Sequence, residues 1–523
     1  MAMTAEIQRL RLLESTLRTA LAAAAVLFVL LYLAMASVRV PYPYELETCE
    51  GAVADASARI LDGEPLYAPP TLEHVMINYT PLYYHAVALM GRITGGISLP
   101  TARLVSFLAS LGSMALIGLF VWRETRHRLA TLAAVGLFAA CFEIGGGWYD
   151  LARIDSLFLL FLLGSITLLR GKPRTLRWLL AGALMAAAFF TKQTALVIAL
   201  PIALGVILID WRRGLLFTLA AFGGMAIGSW LWMQATDGWF AEYVFHIPRG
   251  RMGLWRRWDM LVAFWTSDII RPMGIALVAM LLTLLSLLID GGERRRFILL
   301  LFLAMGMFGG PWAARMTAGA FCNNVIPAYA MLAIFFGLTI GRAEEMLPPG
   351  IDEGARGRAL TRMVLWTACL VQLAGLVFNP LKHLPTSADR EAGDDFIALL
   401  RSFEGDVFIP YHGHLSSMAG KRTFAHLNAL SDYLLMGSEP DRTRLEDELR
   451  RAIEEQRFSA IILDTGFGES DLGLDVSASD YLDLIREHYQ LRDPVFDNPN
   501  VFYTRTCEVS RPETICVPRH KTP

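Results

Sequence analysis

Signatures for metal, nucleotide and nucleic-acid binding are missing from this sequence, and so is any large excess of charge. There are six cysteines in 523 residues. Four of them, Cys49, Cys141, Cys322 and Cys369, are scattered without ligand spacing, so no metal site is predicted. Cys507 and Cys516 lie near the C-terminus, where an oxidising compartment would permit a bridge, and both a disulfide and two separate thiols stay open. No Walker loop, basic stripe or long low-complexity segment occurs, which leaves an ATPase or nucleic-acid role without support. No internal repeat of the kind carriers use is visible. Charged residues are 18% of the chain and nearly cancel, at a net charge of −2, so the overall charge says little about partners.

What the chain does have is apolar residues, 54% of the total, with a mean hydropathy of +0.43. This marks an integral membrane protein. A hydrocarbon core about 30 Å thick needs roughly 20 apolar residues per helix, and about 11 candidate spans precede residue 380. They centre on 18–38, 101–122, 129–147, 154–170, 177–191, 194–209, 214–234, 272–290, 297–312, 324–341 and 362–379.

Arginine-rich turns set the orientation, because Lys and Arg in short loops stay in the cytoplasm. They recur at every second loop: Arg123, Arg126 and Arg128; Arg170, Lys172, Arg174 and Arg177; Arg212 and Arg213; Arg294, Arg295 and Arg296; Arg342, Arg356, Arg358 and Arg362. With Arg9, Arg11 and Arg18 before the first span, the N-terminus is expected in the cytoplasm. Ala34-Met35-Ala36 resembles a processing site, but an apolar run of about 20 residues favours a retained anchor over a cleaved signal. Alternation then puts outside the 39–100 loop, the GGGWYDLARID turn, the 235–271 loop and everything after about residue 380.

The tail turns polar. DVFIPYH and FSAIILDTG read as short buried strands, and RLEDELRRAIEEQ as an amphipathic helix between them. The expected fold is an α-helical polytopic membrane protein, residues 1–380, followed by a small α/β extracytoplasmic domain, residues 381–523, in the plasma (inner) membrane.

Chemistry is expected on the outer face. The first loop carries Glu47, Glu50 and Asp55. If 51–61 is helical, Glu47 and Glu50 lie at or just before its N-terminus, able to face one site. A carboxylate within about 3 Å of an acceptor hydroxyl can take its proton, whereas the same residues can simply cap a helix dipole. Tyr67, Tyr79, Tyr83 and Tyr84, followed by His85, read as rings at headgroup level. In WYDLARIDSL, Asp150, Arg153 and Asp155 enter a span, where charges pair or face a cavity. In a regular helix Asp150 and Arg153 would share a face.

Lys192, in FFTKQTALVIAL, suits a lipid phosphate if it is more than a snorkelling side chain. HIPRGRMGLWRRW interleaves His246, Arg249, Arg251, Arg256 and Arg257 with Trp255 and Trp258. That mixture binds phosphate headgroups or lies on anionic lipid. Arg315 is a further external cation.

The order of these parts resembles the GT-C superfamily of integral membrane glycosyltransferases, near the protein O-mannosyltransferase and lipid A aminoarabinose transferase branch. The resemblance spans roughly residues 15 to 380, through ELETCEGAVADASARIL, GEPLY, YTPLYYH, WYDLARIDSL and TKQT. It implies a donor sugar carried on a polyprenyl phosphate, an acceptor that is lipid, glycan or protein, inversion at the anomeric carbon, and no cofactor. By the same resemblance Glu50 falls on the glutamate of the family's acidic pair, and Cys49 stands where an aspartate is usual, so the expected base is Glu50, with Glu47 as its substitute. Lys192 is implied to touch the carrier phosphate. The arginines 249, 251, 256, 257 and 315 are expected to assist it, with Asp150, Arg153, Asp155, Tyr79, Tyr83 and His85 contacting substrate. A transporter or lipid flippase is the rival reading, and a non-catalytic scaffold a third.

Overall fold

A computed structural model describes residues 2–172, 174–254, 258–317, 320–347, 355–464, 478–494 and 512–519. Eight helices open the chain: α1 Ala2–Arg39, α2 Glu50–Leu61, α3 Leu82–Thr94, α4 Leu99–Thr125, α5 Arg128–Ala140, α6 Asp155–Leu169, α7 Thr175–Thr191 and α8 Ala195–Ile209. Further apolar helices occupy Trp211–Ala235, Met260–Ile289, Gly291–Arg315 and Cys322–Met346, then Ala355–Ala374. Each predicted span overlaps one of these helices, although 129–147 and 362–379 run past the helix ends at Ala140 and Ala374. Six are long and apolar enough to cross a membrane, and α5 to α8 are shorter apolar helices.

Small residues set the helix spacing, since helices in lipid associate through close packing rather than through expulsion of water. A Cβ on Gly136 of α5 would overlap the Cβ of Ala25 on α1. The first span is thus a packed member of the bundle, and at its far end Arg362 grips Glu14 through two 2.7 Å contacts.

The first loop is not a plain connector, because it folds into α2 and α3. The end of α3 is set by Gly95, whose φ of 89° a side chain would resist. Ser98 then starts α4 by accepting from the Thr101 amide, with Pro100 in the first turn.

The tail holds a four-stranded sheet in the order β1-β2-β4-β3. The strands are β1 Val407–Phe408, β2 Ala460–Asp464, β3 Tyr489–Pro494 and β4 Pro512–Pro518. β1 runs parallel to β2, and β4 is antiparallel to both β2 and β3. The expected amphipathic helix is Asp441–Glu454.

Rather than standing apart, the tail shares apolar clusters with the first loop. Phe408, Phe424 and Ile461 cluster with Leu66, Tyr67 and Val75, and the Ala425 amide donates to the Leu72 carbonyl at 2.9 Å. Cys516 is buried on β4; Cys507 lies outside the described residues.

Candidate functional site

The loop from Tyr42 to Glu50 is shaped by one side chain, Arg103, from the first turns of α4. Its guanidinium is fully buried and donates to the carbonyls of Arg39 (3.2 Å), Tyr42 (2.6 Å) and Tyr44 (2.6 Å). It also forks onto Glu50, with Nε to Oε1 at 2.8 Å and Nη2 to Oε2 at 2.5 Å. Glu50 further accepts from the amides of Ala152 (2.7 Å), Leu46 (2.6 Å) and Glu47 (3.3 Å). Burial alone would raise the Glu50 carboxyl, but Arg103 and these amides outweigh it and hold it below the usual value. Both oxygens are occupied by protein donors, an arrangement that fixes a loop and leaves little room for an incoming hydroxyl.

Glu47 sits differently. Its Oε2 accepts from the Cys49 amide and from Arg153 Nη1, both at 3.1 Å, and Oε1 has only long contacts, to Thr48 Oγ1 at 3.4 Å and Arg153 at 3.5 Å. Burial pushes its carboxyl above the ordinary glutamate range; Arg153 pulls it back and the charge of Glu50 adds to the rise. The Arg153 guanidinium in turn lies 4.8 Å from the Trp148 ring centroid and 5.8 Å from that of Tyr79. Burial, reinforced by Glu47, pushes the Cys49 thiol up to about 11, so this cysteine is neutral and is no replacement for a carboxylate base.

The turn after α5 does not continue as a helix, because Gly146 and Gly147 have φ of 75° and 71°. Asp150 and Arg153 therefore part company, contrary to the shared face expected of them. Asp150 Oδ2 accepts from Arg39 Nε at 2.9 Å, tying the end of α1 to the turn, whereas Arg153 turns to Glu47. Asp155, first residue of α6, accepts from Lys192 Nζ at 2.7 Å and Asn323 Nδ2 at 3.1 Å. Lys192 donates also to Asn324 Oδ1 at 2.9 Å. The two ion pairs are stitched together by residues 78–80. Tyr79 Oη is 3.5 Å from Arg153 Nη2, the Asn78 carbonyl accepts from Gln193 Nε2 at 2.7 Å, and Thr80 Oγ1 donates to the Phe189 carbonyl at 2.9 Å.

Other expected site residues lie elsewhere. Tyr83 Oη is buried between the Ala102 carbonyl (3.0 Å) and Ser106 Oγ (2.8 Å), holding α3 on α4. The His85 ring rests 5.5 Å from that of Trp232. Arg315 pairs with Asp268, Nε to Oδ2 at 2.8 Å. Arg249 is exposed on a helical stretch whose Gly250, given a Cβ, would meet Met436 of the tail at 3.2 Å. Arg256 and Arg257 lie outside the described residues, as does the side chain of Arg251.

The tail supplies residues that sequence reasoning passed over. His412 Nδ1 meets Glu45, and its Nε2 is 2.9 Å from Asp464 Oδ2. His414 Nδ1 is 2.7 Å from Asp55 Oδ1. His426 Nδ1 accepts from the Asn428 amide (3.1 Å), so its Nε2–H donates to the Thr48 carbonyl (3.2 Å). Burial, with the nearby charge of His412, lowers His426 to about 3 and keeps it neutral. Asn428 Nδ2 donates to Cys49 Sγ at 3.4 Å. Among the described residues no His, Cys, Asp and Glu cluster is arranged to hold a metal ion.

Residues 78–233 match the family model described as dolichyl-phosphate-mannose-protein mannosyltransferase. ArnT from Cupriavidus metallidurans, solved with undecaprenyl phosphate, aligns over 95% of this chain and 98% of its own, at 12% identity and a TM-score of 0.58. Its apo state aligns over 94% and 97%, at 12% and 0.57. The archaeal oligosaccharyltransferase AglB from Archaeoglobus fulgidus, in complex with an inhibitory peptide and a dolichol-phosphate, aligns over 90% of this chain and 73% of its own, at 12% and 0.53. No protein of curated function matches the chain in sequence.

The chain has the fold of ArnT and AglB.

Within this shared fold, the match to the mannosyltransferase family model takes in Tyr79, Arg153, Asp155 and Lys192. Glu47, Glu50 and the tail residues that hold them fall outside it. One small residue decides whether that outlying part can assemble. A Cβ on Gly51 would overlap Glu45 Oε1 and lie 2.6 Å from the His414 Cβ. Gly51→Ala is therefore expected to destabilise by about 1–3 kcal/mol, as overpacking does, although alanine is the better helix former. A lowered thermal midpoint in detergent checks this, and an unchanged midpoint would show that α2 does not press so closely on Glu45.

Proposed function

We propose that this protein is a multi-pass glycosyltransferase of the plasma (inner) membrane. In this reading it moves a sugar from a polyprenyl-phosphate-linked donor to a lipid, glycan or protein acceptor on the extracytoplasmic face. The N-terminus is cytoplasmic, and residues 381–523 form an extracytoplasmic domain. The observation that carries this reading is a buried carboxylate of raised pKa, Glu47, paired with Arg153, and a buried ammonium, Lys192, paired with Asp155, the two pairs bordering the same segment, residues 78–80. The undecaprenyl phosphate in ArnT and the dolichol-phosphate in AglB support a carrier of this class.

The chemistry balances with these two groups. Glu47 takes the proton of the acceptor hydroxyl as its oxygen bonds to the anomeric carbon, and the bond from that carbon to the carrier phosphate breaks with inversion. Negative charge gathers on the departing polyprenyl phosphate, where Lys192 is placed to steady it. Asp155 and Asn324 hold the ammonium in position, Arg153 and Tyr79 line the path between base and cation, and Arg249 is the cation of the basic loop assigned to assist. Glu50, Asp150 and Tyr83 serve the scaffold in this reading, and the bond between Arg315 and Asp268 removes Arg315 from the phosphate set.

Mass spectrometry of the purified protein, with undecaprenyl phosphate added in mild detergent, tests the carrier assignment. The wild type is expected to take up the carrier, and Lys192→Gln to bind it at least about tenfold more weakly, the loss of one charged hydrogen bond. A wild type that retains only bulk phospholipid would end the transferase reading and favour a transporter or scaffold.

A further inference from the structure

The tail meets the 45–55 segment at four successive points: His412 at Glu45, His426 at the Thr48 carbonyl, Asn428 at Cys49 and His414 at Asp55. Glu47 lies in the middle of that grip. His412 differs from the other three in having both ring nitrogens directed at carboxylates, one from the first loop and one from β2, with all three side chains fully buried. Only an imidazolium donates from both nitrogens to two ionised carboxylates.

We propose that His412 is a positioning residue, tying Glu45 of the first loop to Asp464 of β2 so that the C-terminal unit fixes where the Glu47 carboxylate points. The inference rests on the reading of Glu47 as the base. The tail then has a mechanical role, because without it the 45–49 stretch is held from the membrane side alone, by Glu50, which Arg103 fixes, and by Arg153.

The charges around His412 set how this tie depends on pH. Asp464 from β2 and Glu45 from the first loop act on His412 directly, and His426 of the tail feels its charge; behind them Glu50 and His414 act on Glu45, Asp55 and Arg103 act on His414, and Tyr411 lies near Asp464. Burial alone would lower His412, but Asp464 and Glu45 outweigh it and push it up to about 10. Its folded pKa is therefore above its unfolded one, so its contribution is fully present below the unfolded value and is lost as pH rises through about 10; burial raises the Glu45 carboxyl, so the Glu45 arm also weakens in acid. Asp464→Asn keeps an acceptor for Nε2 but removes one of the two raising charges, which moves that loss to lower pH.

Hydrogen–deuterium exchange of the full-length protein in detergent tests this, with rates corrected for intrinsic pH dependence. In His412→Gln the amides of residues 46–51 are expected to exchange at least about tenfold faster, the loss of one charged hydrogen bond, while α4 and Ile326–Met346 are unchanged. In Asp464→Asn the same amides are expected to match wild type near pH 6 and to lose protection towards pH 9, where wild type stays flat, because the charge on His412 is what holds them. A packing role alone would give a pH-independent loss. Unchanged exchange in His412→Gln would overturn the proposal, as would an Asp464→Asn profile that superposes on wild type; the second variant decides the matter if the first does not fold. Failure of wild type to take up undecaprenyl phosphate on the same samples would sink the transferase reading alone.

Discussion

Glu47→Gln is expected to slow sugar transfer by about 10²- to 10⁴-fold, the usual contribution of a general base, while the protein stays folded and still takes up undecaprenyl phosphate. Glutamine keeps the shape of the side chain, and its amide oxygen can still accept from the Cys49 amide and Arg153, which hold the carboxylate at 3.1 Å. It cannot take a proton. The neighbouring substitution should behave in the opposite way. In Glu50→Gln one terminal atom becomes an NH₂ group facing donors only, because Arg103 and the amides of Leu46, Glu47 and Ala152 surround it, so folding rather than chemistry is expected to fail. Transfer rate and thermal midpoint measured on both variants separate the two roles; an active Glu47→Gln enzyme would remove Glu47 as the base. The pH profile gives an independent check. Because burial raises the Glu47 carboxyl, its ionised form appears above the ordinary glutamate range, and the acid limb of kcat/KM is expected above about pH 4.3. Activity rises with pH as the base loses its proton.

Helices can be read from the sequence and ion pairs cannot. Apolar runs of membrane length locate spans one at a time, and arginine alternation orders them, without any knowledge of which helix touches which. The acids and cations of the site stand out for the same local reason, as charges near apolar runs. Pairing them needs the third dimension, since Arg153 and Glu47 are 106 residues apart and Asp155 and Lys192 are 37 apart. Where local spacing suggests a pairing, as with Asp150 and Arg153, the glycine turn defeats it. Arg103 does leave a signal, an ionisable residue inside a predicted span that must find a partner. His412, His426 and Asn428 leave none, because polar residues in a polar tail look like any surface until the tail is seen lying on the first loop.

Arg103→Met should bring the largest loss of stability, about 3–5 kcal/mol, the cost of leaving one partner of a buried ion pair behind. Against a typical total of about 5–15 kcal/mol, that is enough to abolish a well-folded protein or to lower its thermal midpoint steeply. Two components make up the loss, and a second variant separates them. Removing the arginine strands the Glu50 carboxylate in a fully buried site and also takes the Arg103 donor from the carbonyls of Tyr42 and Tyr44, while the Arg39 carbonyl keeps the Tyr42 amide. In Arg103→Met combined with Glu50→Leu the charge is gone, and replacing a buried pair with apolar side chains is often neutral. The carbonyls still lack Arg103, and the amides of Leu46, Glu47 and Ala152 now lose Glu50 as their acceptor, at about 1–3 kcal/mol for a buried polar group left without a partner. Partial rescue in the double variant is therefore expected, with the remaining deficit belonging to the backbone of the first loop. Complete rescue would mean that Arg103 serves only to neutralise Glu50, and no rescue would mean that the loop depends on the backbone contacts of both side chains. Arg103→Lys should fall near the single variant despite keeping the charge, because one ammonium cannot span the positions that the planar guanidinium fork holds together.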